Sequence, residues 1–302
     1  MKIIIVGDVI EDNYYFCRDY KEIDESINKA SKLEREVFSL GAAGNVANTI
    51  TSLLMEENVD ILFFTSCNAT TQSKILALPR IEYNKHPTIK RDRFYFNDQL
   101  RFRIDKFDDL YLNVEVNHKQ LTECISSNDI IVISDYRKGF LNAEDVKKIV
   151  AIGNKNKCKI FVDTIELDDC YNGCTYLQVN AKTFNRYLEY DTDSKLEAKI
   201  LYVAQKFNFN LIVTNSSDNI IYTDRKNVYS KKFYVPKQFK CSIGAGDVFL
   251  SGLAIAAYRN KKSIHDYVES ADRYATMSTT FIGTTQLVNN KMQDKIALTT
   301  KL

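Results

Sequence analysis

Apolar and polar positions along this chain follow two rhythms. Residues 2–6 form a β-branched run closed by Gly7-Asp8, which predicts a strand buried on both faces with its carboxyl edge at Asp8. Similar runs at 60–65, 129–134, 159–163, 176–180 and 210–214 predict further buried strands. Between them the period lengthens. Val46, Ala47, Ile50, Leu53 and Leu54 recur on one face of a helix predicted over 42–54. Helices are likewise expected over 142–155, 196–207, 248–258 and 264–281. Residues 14–38 mix charged and apolar positions without a helical period at first and read as short strands projecting from the main body. Residues 90–105 alternate as an antiparallel hairpin turning at Asn97-Asp98, and 220–223 pairs with 228–235 across a turn at 224–227.

Strands alternating with helices predict an α/β fold, a mainly parallel sheet with helices on both faces. Ligands of such folds collect at the carboxyl ends of the strands. Asp8, Ser134-Asp135, Asp163, Asn180 and Thr214 all fall at predicted strand ends, and they mark the working edge.

With 302 residues the chain can bury a large core, and 45% apolar against 26% charged residues is an ordinary globular balance. Lys+Arg 41 against Asp+Glu 39 lacks the basic excess of a whole-surface nucleic-acid binder, so none is expected as partner. Arg91, Arg93, Arg101 and Arg103 are a local basic cluster that needs a local explanation. Seven cysteines without a pairing pattern predict free thiols in a reducing cytoplasm, and the three histidines sit in no metal-ligand motif. Strand-like sequence begins directly after Met1-Lys2, and no apolar run reaches membrane-spanning length. Neither a leader nor a membrane partner is expected.

Gly244-Ala245-Gly246-Asp247 separates a polar approach from the apolar run at 248–258. Glycines there allow a tight turn whose N–H groups stay bare at a helix N-terminus, a place that attracts anions. Asp247 is then either an ordinary first-turn carboxylate or a general base beside an oxyanion cradle.

Three segments line up in order: Gly7-Asp8-Val9-Ile10-Glu11-Asp12-Asn13-Tyr14, Gly41-Ala42-Ala43-Gly44-Asn45-Val46-Ala47, and Gly244-Ala245-Gly246-Asp247. With Ser134-Asp135-Tyr136-Arg137-Lys138-Gly139, the stretch 99–105, Asn180 and Gly283-Thr284, the set resembles the ribokinase-like (PfkB) carbohydrate kinases over essentially the whole chain. Within that family it is most similar to the kinases that phosphorylate D-glycero-D-manno-heptose 7-phosphate at O1.

The resemblance implies one ribokinase-like domain over 1–302, a three-layer sandwich with a small β lid at about 13–40 and 88–106 that forms a homodimer. It implies phosphoryl transfer from ATP with Mg2+ to a sugar or sugar phosphate. Asp247 would be the base, and the N–H groups of Gly244, Ala245 and Gly246 the anion hole. Asp8, Asp12, Gly41 and Asn45 would meet the sugar. Arg91, Arg93, Arg103 and Lys138 are candidates for a phosphate already on it, because guanidinium forks match phosphate geometry. Asn180, Thr214, Asn215 and Gly283 would meet the nucleotide, along with Gly244 and Gly246. For Asp8 and Asp12 the plain alternative is strand-end and turn capping; for the arginines, a solvated face; for Asn180 and Thr214, strand-end capping.

The chain departs from the family on its nucleotide side. Cys241 and Ile243 stand where an acidic residue and a threonine are usual, Thr183 where a glutamate is, and Gly41-Ala42 where two glycines are. The sequence assigns no metal ligand. It leaves open a kinase for another sugar or nucleoside, and a non-catalytic relative that binds a sugar or a protein. A second, nucleotidyl-transferase domain of the kind bifunctional relatives carry is not expected within these residues.

Overall fold

The structure, a computed structural model, describes residues 1–22, 29–75, 78–79, 82–83, 88–108, 118–188, 195–215 and 218–284; the part of the expected lid at 23–28 lies outside them. The first half of the chain runs β1 (Lys2–Gly7), β2 (Val9–Glu22), β3 (Lys29–Ala42), α1 (Ala43–Leu53), β4 (Asp60–Phe64), β5 (Ser66–Cys67), α2 (Ala69–Gln72), β6 (Leu78–Pro79) and β7 (Glu82–Tyr83). Next come β8 (Ile89–Phe96), β9 (Gln99–Lys106), α3 (His118–Cys124), β10 (Ile130–Asp135), α4 (Ala143–Lys155) and β11 (Lys159–Thr164). The chain continues through β12 (Tyr176–Asn180), α5 (Ala181–Tyr187), α6 (Leu196–Lys206), β13 (Asn210–Asn215), β14 (Asn219–Thr223), β15 (Val228–Lys232), α7 (Ala245–Tyr258) and α8 (Ile264–Ser278).

Nine strands form the main sheet in the order β15-β14-β13-β12-β11-β10-β1-β4-β6. All its neighbours are parallel except β13–β14 and β14–β15, which pair antiparallel. Period-two alternation sends each buried strand's side chains to two cores. Ile4, Val6, Ile131, Ile133 and Val162 pack with Leu121 of α3, Val146 of α4, Phe184 of α5 and Val203 of α6. Ile3, Ile5, Val132 and Phe161 pack with Ile50 of α1, Leu253 of α7 and Val268 of α8 on the other face. Helices therefore cover both faces, as the α/β reading expects. From β1 the sheet grows outward to β4 on one side and to β10 on the other. A crevice at the carboxyl ends opens at such a reversal, and here Asp8 and the loop after β10 border it.

A second sheet has the order β3-β2-β8-β9. β2 and β3 are continuous strands of 14 residues each rather than the short strands expected, and β2 starts at Val9, immediately after Asp8. The sequence hides this because the strands carry register shifts between Phe16 and Cys17 and between Asp19 and Lys21, which interrupt the alternation. β8 and β9 turn at Asn97 and Asp98, with φ of 49° and 59°, the left-handed pair a two-residue hairpin turn needs. Helix α5 carries no long period and was not expected; Asn180 caps it by accepting from the Thr183 N–H at 2.8 Å.

α7 and α8 touch backbone to backbone at Gly252, where a Cβ would lie 2.5 Å from the Ala271 Cα. Gly252→Ala is therefore expected to lower the unfolding free energy by about 1–3 kcal/mol through overpacking. Chemical denaturation measures it, and an unchanged midpoint would show that the helices do not meet so closely.

Candidate active site

Gly244 caps α7 in the left-handed region, with φ 80°. A Cβ there would lie 2.5 Å from Thr284 Cγ2 and 2.8 Å from Asn45 Nδ2, so only glycine brings the three segments together. The Ala245 N–H is not bare as expected: it donates to the Ser242 carbonyl at 3.1 Å. Among the described residues, no acceptor meets the N–H of Gly244 or Gly246.

Asp247 is buried in the first turn of α7. Asn45 Nδ2 donates to its Oδ2 at 3.0 Å and the Tyr136 hydroxyl to its Oδ1 at 2.8 Å. Asn45 also donates to the Gly244 carbonyl at 3.2 Å. Burial pushes the Asp247 carboxyl up to about 6, while these two donors pull it back. Tyr136 was legible only as one letter of the string at 134–139; its role came from the fold.

Asp8 faces inward. Its carboxylate accepts from the N–H groups of Tyr136 at 2.9 Å, Lys138 at 3.1 Å and Phe140 at 3.2 Å. Burial and the neighbouring Asp135 push its carboxyl up to about 7, opposed by the three donors. Asp8 thus shapes the loop that presents Tyr136, and its capping reading describes its contacts. Asp12 is buried and ion-paired with Arg93, and a Cβ on Gly41 would lie 2.5 Å from its Oδ2. Arg93 also reaches the Tyr14 hydroxyl at 3.5 Å, which in turn accepts from the Thr284 N–H at 3.0 Å.

Arg91, Asp12 and Ser39 are register neighbours on the same face of the small sheet. The Arg91 Nε is buried without a hydrogen-bond partner, 3.9 Å from Asp105. Arg103 is exposed and paired with Asp105 at 2.7 Å, and Lys138 with Asp108 at 2.8 Å. Of the four basic candidates, Arg91 is the one with a buried side-chain nitrogen that meets no hydrogen-bond partner among the described residues, and its charge acts on both Asp12 and Asp247.

Of the residues expected to meet a nucleotide, Asn180 and Thr214 are register partners at the carboxyl ends of β12 and β13. Asn180 caps α5, Thr214 donates to the Val179 carbonyl at 3.4 Å, and Asn215 reaches Asp218 at 3.5 Å. Gly283 lies against the small sheet instead: a Cβ there would sit 2.6 Å from Tyr14 Cζ. Ile243 packs onto the cluster of Tyr14, Phe16 and Tyr95, so the segment before the loop serves a hydrophobic contact. Gln178, which the sequence did not single out, and Asp163, read only as a strand-end marker of the working edge, approach the first turn of α7. Gln178 Nε2 donates to the Gly246 carbonyl at 3.1 Å, and Asp163 stands in register beside Gln178 on β11. Burial and the charge of Asp247 hold the Asp163 carboxyl well above its ordinary range. Among the described residues, no group of three or more His, Cys, Asp or Glu is arranged to hold a metal.

The model of the pfkB family carbohydrate kinases matches residues 107–291, more than half of the chain. The chain is 25% identical over 291 residues to the bifunctional protein HldE of Sulfurimonas denitrificans, covering 92% of this chain and 59% of that protein. It is 26% identical over 267 residues to HldE of Haemophilus influenzae, covering 84% of this chain and 55% of that protein. The chain thus spans under two thirds of the length of these relatives. In fold it is similar to phosphofructokinase-2 of Escherichia coli, with a TM-score of 0.75, 14% identity and 98% of both chains covered. Ribokinase of Thermotoga maritima gives a TM-score of 0.72 at 14% identity, with 97% of this chain and 98% of that one covered. The ordered glycine segments, the buried aspartate at the start of α7 and the family match agree, and the chain belongs to the pfkB family of carbohydrate kinases.

Proposed function

We propose that this chain transfers the γ-phosphoryl group of ATP to a hydroxyl of a sugar phosphate, with heptose 7-phosphate, phosphorylated at O1, as the preferred acceptor. The observation that carries the reading is Asp247: a buried carboxylate at a helix start, held at both oxygens by Asn45 and Tyr136. The named relatives, bifunctional HldE proteins, support the choice of acceptor.

In this reading Asp247 takes the proton from the acceptor hydroxyl as that oxygen bonds to the γ-phosphorus and the bond to the ADP oxygen breaks. The helix start and the N–H groups of Gly244 and Gly246 stabilise charge on the moving phosphoryl group. Asp12, fixed by Arg93 against Gly41, accepts from sugar hydroxyls, and Arg91 pairs with the phosphate the acceptor already carries. Asp8 acts one step back, through the loop that presents Tyr136. Asn180 and Thr214 border the nucleotide side. Magnesium, when bound with ATP, neutralises phosphate charge; the oxygen donors Asp163, Gln178 and Asp247 at this edge suit such a hard cation.

The small sheet would act as lid and as dimer interface. Tyr15, Phe94 and Phe102 form a stacked row across it, with centroid separations of 4.8 and 4.5 Å, yet Phe102 is 49% exposed and Ile104 42%. A second copy of the chain laid on this face would cover them. No described helix is long and apolar enough to cross a membrane.

Three outcomes are expected. In a coupled ADP-release assay against heptose 7-phosphate, fructose 6-phosphate, ribose and adenosine, the heptose phosphate gives the highest kcat/KM. Asp247→Asn cuts kcat by about 10²–10⁴-fold with KM little changed. No ADP from any acceptor would leave the non-catalytic reading standing. Secondly, kcat falls as pH drops through the Asp247 value of about 6, because the base must be ionised. Tyr136→Phe removes a donor that favours the carboxylate, so its acidic limb moves to higher pH; an unmoved limb would deny Tyr136 that role. Thirdly, Phe102→Asp converts a dimer to a monomer in sedimentation. A wild-type monomer would refute the interface.

A further inference from the structure

Residues 136–140, the loop that presents Tyr136 to Asp247, are held from two sides. Asp8 takes the N–H groups of Tyr136, Lys138 and Phe140, and Asp135 takes that of Arg137 at 2.8 Å. Arg137 stands in the left-handed region, with φ 54°. A residue with a side chain pays a free-energy cost there and persists where its surroundings fix it, as they do at functional sites. Asp135, the last residue of β10, is wholly buried, and its other oxygen accepts from the Tyr171 hydroxyl at 2.7 Å. Tyr171 ends the single 3-10 turn Asp169–Tyr171 that follows β11. The guanidinium of Arg137 reaches the cap of that turn, Asp168, at 2.9 Å, while its Nε stays 3.8 Å from Asp135. The corner at 135–137 is thus tied to the turn at 168–171 twice.

Tyr171 is also wholly buried, and its ring belongs to the core that includes Phe140 and Phe184. A phenylalanine would fill that place without the cost of burying a hydroxyl. The hydroxyl is bonded instead to Asp135 and to Thr164 Oγ1, 2.9 Å away. We propose that Tyr171 is a positioning residue for phosphoryl transfer: through Asp135 it fixes the 136–140 loop, and with it the hydroxyl that Tyr136 donates to Asp247. Tyr171 itself touches neither Asp247 nor the small sheet, so it acts through the loop alone. A displaced Tyr136 hydroxyl, now 2.8 Å from Asp247 Oδ1, changes how the base is held, while the small-sheet residues that would meet the acceptor keep their places. The effect therefore falls on kcat and not on KM. The inference rests on the kinase reading for what Asp247 does.

The test is Tyr171→Phe in the full chain, which keeps the ring and removes only the hydroxyl. In the ADP-release assay with its fastest acceptor, kcat falls about three- to tenfold and both KM values hold. Added to Tyr136→Phe, the same change lowers kcat no further, because the hydroxyl it positions is gone. A purely structural role for Tyr171 would cut kcat by the same factor in both backgrounds, and that result overturns the proposal, as does an unchanged kcat in Tyr171→Phe. A second readout needs no turnover. With 3-fluorotyrosine at position 136, the fluorine resonance moves or broadens in Tyr171→Phe; an unmoved line overturns the contact. If Tyr171→Phe does not fold, Asp135→Asn takes its place in both measurements, since it keeps the volume and exchanges a charged acceptor for a weaker neutral one. A chain whose fluorine line moves but which releases no ADP with any acceptor refutes the kinase reading and leaves the positioning contact in place.

Discussion

The constraint that organises this protein is the burial of carboxylates at one edge of the main sheet. Asp8, Asp12, Asp135 and Asp247 are all nearly or wholly shielded from solvent. An ionised carboxylate cannot be buried without strong partners. Each acid solves this differently. Asp8 gathers three backbone N–H groups from 136–140. Asp135 takes the Tyr171 hydroxyl at 2.7 Å and the Arg137 N–H at 2.8 Å. Asp12 takes the Arg93 guanidinium. Asp247 takes two neutral donors and a helix start, and no cation. Burial still pushes its carboxyl up to about 6, inside the range where a group can exchange a proton near neutral pH.

These partners tie distant parts of the chain to one another. Asn45 at the start of α1 binds both the Gly244 carbonyl and Asp247, so α1 and α7 share one hinge of hydrogen bonds. Tyr136 joins the loop after β10 to the same carboxylate. On the small sheet, Tyr14 accepts from Thr284 while its ring lies against Gly283 and Ile243. A shift of the small sheet would thus be felt at Thr284, whose side chain abuts Gly244. The small sheet and the loop at 244–247 are mechanically linked through Tyr14.

The sequence disclosed the parts of this design that follow from local chemistry. The buried strands, α1, α7 and the turn at Asn97-Asp98 were legible because period and turn residues are local signals. Asp247 and Asn45 were legible as members of ordered segments. The length of β2 and β3 was not, since register shifts break the alternation. Nor was α5, which has one turn of capping by Asn180 and too few residues to show a period. Tyr136 and Gln178 escaped as site residues, and Asp163 was legible only as a strand-end marker of the working edge, for another reason: they lie on strands or loops far apart in the chain, and only the sheet order brings them together. Asp8 shows the reverse. Its position at a strand end was read correctly, but three N–H groups pointing at it from 136–140 are a tertiary fact.

The departures before the glycine loop fit this division of labour. An acidic residue at 241 and a threonine at 243 would place polar groups beside Tyr14, Phe16 and Tyr95. Here Ile243 extends that apolar cluster, and Cys241 accepts from the Ile243 N–H at 3.4 Å. The loop is thereby anchored by packing against the small sheet rather than by ions. Charge is instead concentrated across the sheet edge, where Asp163 and Gln178 face the same turn from β11 and β12. Carboxylate oxygen therefore stands at this edge without acids at 183 and 241. It sits at a rigid strand end, where backbone pairing in the sheet, and not a loop, fixes its distance from Asp247.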